Sequence, residues 1–188
     1  MTDHKLFQAL QSFSPMERAD FLAYVQADFV NQSQLLRQLA DVLITGLDTP
    51  RKQWQETKVF EVLYPGKPYA PQRLREQFSR LFKLLKSFLA YQELKEDALQ
   101  EEVFALKQFR KRQWDKAFHT QLLSTKAQLS ATHPRRAETY RLQAEVAAEA
   151  NAYFSQQQRR VFDHNLQERV DHLDRFYLIT KLRESCEM

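Results

Sequence analysis

Glycine is almost missing from this chain: there are two in 188 residues, Gly46 and Gly66. An average sequence carries about 7%. Tight hairpins, bulges and phosphate-cradling loops need glycine where the backbone takes a positive φ or closely approaches a ligand. The shortage argues against a sheet-rich fold and leaves no P-loop or dinucleotide fingerprint. Cysteine is scarcer still. Cys186 stands alone, so there is no internal disulfide framework and no cysteine-based zinc site. Long apolar runs are missing too. The amino terminus, MTDHKLFQAL, has no signal core. No uncharged run approaches the roughly 18 residues of a membrane helix. These absences lead us to expect a cytoplasmic protein with no membrane association and no cofactor.

What is present favours helices. Apolar residues make up 43%, with 14 Phe and 7 Tyr, enough for a real core. Gln, Leu, Ala, Glu, Lys and Arg, all good helix formers, fill much of the rest. Leu6, Phe7 and Leu10 mark a short opening helix. Ser14-Pro15-Met16-Glu17 is a capping box with proline in the first helical position, and Phe21, Leu22, Tyr24, Val25 and Phe29 form the apolar face that follows. Ser33 is placed to cap the next helix, and Gly46 to close it in a left-handed conformation. Asp48 or Thr49 then caps a helix led by Pro50. Later helices are expected near 71–92, 96–111, 114–131, 135–157 and 159–188, with no clear breaker inside 89–100. Ala144, Ala147, Ala148 and Ala152 make one helix small along one side, so it should pack between others.

Half of the six prolines and one of the two glycines fall in LYPGKPYAPQ, Leu63 to Gln72. Pro65 stops a helix, Gly66 supplies a positive φ, and Pro68 keeps Lys67 out of helical geometry. Pro71 leads the next helix, whose Leu74, Phe78, Leu81, Leu85 and Phe88 step by 4, 3, 4 and 3. We read a corner between helices, in preference to a binding loop displaying Tyr64, Lys67 and Tyr69.

Charge is uneven. Residues 1–66 hold 6 basic and 8 acidic side chains, residues 67–116 hold 12 and 7, and residues 117–188 hold 10 and 9. The basic middle peaks in KQFRKRQWDK. Lys107, Arg110, Lys111, Arg112 and Lys116 surround Phe109 and Trp114, and Arg135 and Arg136 follow the next turn. Positive charge beside aromatics is the footprint of a nucleic-acid contact. The structural alternative is that the aromatics pack the hairpin and the cations complement a helix C-terminus.

From Glu101 to Pro134 the sequence resembles a degenerate tetratricopeptide-type helical hairpin. Trp114 precedes Ala117 at the start of the second helix as in that family. The glycine of the inter-helix turn is absent, and Pro134 arrives about five residues late. The chain as a whole resembles an uncharacterised all-helical bacterial family whose members are expected to continue past residue 188. The repeat-like pattern implies protein or peptide binding on a helical surface, without chemistry.

Catalytic constellations do not assemble. His164, Glu168 and His172 step by four along one helical face, but the Glu-x-x-His spacing of di-iron bundles and the H-E-x-x-H motif are absent. A solvated polar stripe is the simpler reading. Asp115 and His119 lie one turn apart with no nucleophile elbow. The last segment is more telling. Phe162, Leu166, Val170, Leu173, Tyr177 and Leu182 lie near one helical face that runs almost to residue 188. Such a stripe needs a cover: more chain, a partner or a second copy. We therefore expect an all-α fold of about eight helices, an antiparallel bundle passing into stacked hairpins. It forms one domain, or a bundle over 1–64 and hairpins over 71–188. We expect no enzyme but a scaffold for a protein or peptide, or one self-associating through its last helix. The alternative is a nucleic-acid adaptor using the 107–116 cluster.

Overall fold

The computed structural model describes residues 5–47, 55–132, 136–156 and 164–187. These form nine helices and no strand: α1 (Lys5–Ser12), α2 (Pro15–Gln26), α3 (Gln34–Leu47), α4 (Glu56–Leu63), α5 (Pro71–Glu96), α6 (Ala98–Lys111), α7 (Asp115–Ala131), α8 (Ala137–Gln156) and α9 (His164–Glu187). The all-α expectation holds. The proposed Asp48/Thr49 cap and Pro50 lie outside the described residues, as do Arg135 and Phe162.

Contacts divide the chain into two compact units, Met1–Glu93 and Leu94–Met188, with the boundary in the last turn of α5. In the first, α3 packs against α1, α2 and α4. The core joins Leu10, Phe21, Leu39, Leu43 and Phe60 to the 4-3-4-3 row of α5. Phe21 and Phe88 meet with ring centroids 5.4 Å apart. The capping box is complete: the Glu17 N–H donates to Ser14 Oγ at 3.2 Å, and the Ser14 N–H donates to the Glu17 carboxylate at 2.7 Å. The bond from the Ser14 backbone, aided by the Ser14 side chain, holds the Glu17 carboxyl below its usual pKa.

Two expectations fail locally. Gly46 lies within the last turn of α3 and does not take the left-handed conformation. Phe29 is 91% exposed, because α2 ends at Gln26. Buried Asn31 closes the turn beyond it, donating to the Val25 carbonyl at 3.0 Å and accepting from the Ser33 N–H at 3.0 Å. That local side-chain bonding outcompetes another helical turn.

The proline-rich stretch is a corner inside the first unit. Gly66 sits at φ 74°. The Phe60 ring takes Tyr64 on one contact and Tyr69 on another, at 4.8 and 5.4 Å, and the Tyr69 hydroxyl donates to Glu56 at 3.0 Å.

In the second unit α6 and α7 form a hairpin, and α8 packs against α6, α7 and α9 as its alanines led us to expect. Phe118 stacks on Tyr153 at 4.2 Å, among Val103, Leu106, Leu122, Leu129, Leu142 and Val146. Glu102 ties the hairpin together, accepting from Thr125 at 2.9 Å and Gln121 at 2.7 Å. The break between α5 and α6 falls at Asp97, whose carboxylate accepts the Gln100 N–H at 3.0 Å. An N-cap aspartate was the signal there, with no glycine or proline needed.

The α6–α7 turn also dispenses with glycine. Gln113 takes φ 57°. The Trp114 N–H reaches back to the Phe109 carbonyl at 3.0 Å and the Gln113 N–H to that of Arg110 at 3.1 Å. This is a Schellman closure, with its usual apolar contact supplied by Phe109 stacked on Trp114 at 5.8 Å.

Candidate functional site

α9 is held to its unit without a single fully buried side chain. Asn165, His172, Phe176, Ile179 and Thr180 are partly buried and form the row facing inward. The two flanks of that row differ.

On one flank, Glu168, Asp171 and Arg175 border a cleft of about 280 Å³ shared with Lys126 and Leu129 of α7 and Gln143 and Val146 of α8. The Lys126 ammonium donates to Glu168 at 2.7 Å and to Asn165 at 3.3 Å. The Tyr140 ring lies 6.3 Å from His172 and 5.8 Å from the Arg175 guanidinium. Within the cleft, His172 Nδ1 and Gln143 Oε1 are buried without hydrogen-bond partners. Burial, then the cations of Arg175 and Lys126, push the His172 pKa down, against the opposing pull of Glu168 and Asp171. The side of α9 expected to be a solvated polar stripe thus helps seat the helix. Nothing local in the sequence pointed to Lys126. Among the described residues no three His, Cys, Asp or Glu side chains converge to hold a metal ion.

The other flank is apolar. Leu166, Val170, Leu173 and Tyr177 lie along it, each between 42% and 58% exposed. Three of them follow an inward residue by one position (165 and 166, 172 and 173, 176 and 177), whereas Asp171 and Arg175 precede one. One residue is about 100° of helix, so the apolar row faces away from the α7 cleft. Leu182 comes five residues after Tyr177, about 140° further round. It is 65% exposed and off this row.

The basic corner is less concerted than its sequence. Arg110 is withdrawn into an ion pair with Glu149 of α8, Nε to carboxylate at 2.6 Å, with both side chains near 15% exposed. Arg112 bonds Gln108 and lies over Trp114, 5.9 Å from the ring centroid. Lys107, Lys111 and Lys116 are exposed, as is Arg136. Trp114 is committed to the Schellman contact. His119 is exposed with its ring edge-on to Tyr153 at 5.1 Å, and Cys186 is exposed near the end of α9.

Among the described residues no helix is long and apolar enough to cross a membrane. Comparison with protein-family models, curated proteins and solved structures found no match.

Proposed function

We propose that this chain is a non-enzymatic helical scaffold that binds a protein partner through the apolar flank of α9. The observation that carries the reading is the unbroken row Leu166–Val170–Leu173–Tyr177, about half exposed on a helix whose inward face is already seated. Continuous exposed apolar surface marks interaction sites, whereas scattered single residues do not. Covering the exposed half of each side chain would contribute on the order of 1 kcal/mol apiece.

A pull-down from host lysate tests it, run with and without nuclease, on the chain and on Leu173→Glu. We expect a discrete protein recovered equally in both nuclease arms and lost on Leu173→Glu. Recovery indifferent to that substitution would overturn the reading. A partner lost on nuclease treatment would instead favour a nucleic-acid adaptor working through Lys107, Lys111 and Lys116.

A further inference from the structure

α7 and α9 carry the same apolar spacing. The buried row of α7 is Phe118, Leu122, Thr125 and Leu129. A shift of 48 residues turns these into Leu166, Val170, Leu173 and Tyr177, the exposed row of α9. Both step by 4, 3 and 4. What differs is the cover. α8 packs against both helices of the α6–α7 hairpin and brings Leu142, Val146 and Tyr153 into the core that holds the α7 row. α8 and α9 form the next pair, and α9 meets α7 through Lys126 on its polar flank. Its apolar row lies on the opposite flank, the side onward from α7. By helical spacing Ala148 and Ala152 of α8 also lie away from Gln143 and the cleft. They are small and only partly buried.

We infer that the α8–α9 pair offers a docking groove for one amphipathic α-helix of a protein partner, seated as α8 is seated on α6 and α7. The inference rests on the protein-binding reading of α9 and names the partner's chemistry. A row stepping 4-3-4 over 166–177 is about 17 Å long. It forms the ridge that interlocks with the grooves of another helix. An extended segment sets the side chains of one face about 6.6–6.8 Å apart, a poorer match to a row whose members rise about 5.5 Å on average. A second copy is the poorer occupant. The α8 that would have to supply the covering helix is already packed against α6, α7 and α9 of its own chain.

The probe is a fluorescent 21-residue helical peptide with leucines stepping 4-3-4-3, beside a peptide of the same composition with the row scrambled. Each is titrated by anisotropy into the full chain, into Leu173→Glu and into Tyr177→Glu. In parallel, Tyr177 is replaced by a photo-cross-linking phenylalanine analogue. We expect saturable binding of the patterned peptide alone, weakened about tenfold or more by either substitution, and a cross-link from position 177 to it. Both positions are exposed, so unchanged thermal melting confirms that the variants are folded. Equal binding of the scrambled peptide, or no loss in both variants, would overturn the inference. If the patterned peptide fails while position 177 cross-links an extended segment of a partner lost on Leu173→Glu, the helix is wrong and the protein-binding reading stands. Cross-linked dimers of the chain would assign the groove to a second copy. No cross-link, with no Leu173-dependent partner, would end both.

Discussion

Arg110 offers the sharpest contrast between sequence and structure, because by sequence it belongs with the exposed lysines around it. In the fold its guanidinium is paired with Glu149 across α6 and α8 at 2.6 Å, with about 15% of each side chain exposed. Arg110→Met leaves Glu149 with its charge, little water and no counter-ion. Removing one member of a fully buried pair costs about 3–5 kcal/mol. Residual solvent reduces this to about 2–3 kcal/mol here. Lys111, one residue on, is exposed at the end of α6, and Lys111→Met should change stability by less than about 0.5 kcal/mol. The assay is urea unfolding followed by circular dichroism, with hydrogen exchange of α6 and α8 assigning the transition to the second unit. At a urea m-value of about 1–1.5 kcal/mol per molar, Arg110→Met should lower that unit's midpoint by roughly 2 M. The double variant Arg110→Met with Glu149→Leu should recover most of the loss, since an apolar pair of similar volume is often no worse than the ion pair. Equal effects of the two single substitutions would refute the argument and return Arg110 to the surface cluster.

Two backbone substitutions should move stability in opposite directions. Gly66→Ala places a side chain at φ 74° with no atom within 4 Å of the new Cβ. The cost is therefore conformational alone, about 1–2 kcal/mol, read as a lower melting temperature of the first unit. Gln113→Gly relieves the same strain at φ 57° and should stabilise the α6–α7 turn by up to about 1 kcal/mol; destabilisation would mean that the Gln113 side chain contributes more than its backbone strain costs. For His172 the sign follows from its lowered pKa in the docked helix. Above the ordinary value of about 6.5 the ring is neutral whether α9 is docked or released, and docking is undiminished. As pH falls through 6.5 toward the docked value, the released helix takes the proton more readily. The docked ring faces Lys126 from α7, Tyr140 and Gln143 from α8, and Glu168, Asp171 and Arg175 on its own helix. Exchange of α9 amides, corrected for intrinsic rates, should therefore quicken between pH 7 and 5.5, and His172→Phe should abolish that dependence. The same acceleration in the variant would exclude His172 as its source.

Local chemistry decided the helices, and local chemistry is written in adjacent residues. Ser14-Pro15-Met16-Glu17 formed the box its spacing demands, Gly66 took the positive φ that only glycine adopts without strain, and the 4-3-4-3 row from Leu74 to Phe88 became a core face. Gln113 performs the turn of a glycine at the break expected between 111 and 114. At the end of α2 the expectation failed, because Asn31 stops the helix before Phe29 by side-chain bonds that apolar periodicity does not register.

The apolar stripe of α9 was likewise legible from spacing, which shows that a row exists and not which way it faces. Only tertiary structure could decide that. Lys126, some 40 residues upstream, draws the Glu168 side inward and leaves Leu166, Val170, Leu173 and Tyr177 outward. Glu149, about as far downstream, removes Arg110 from the surface. An amphipathic helix specifies its own faces through a period of 3.6 residues, but which face is covered depends on helices distant in sequence, and no local pattern encodes that pairing.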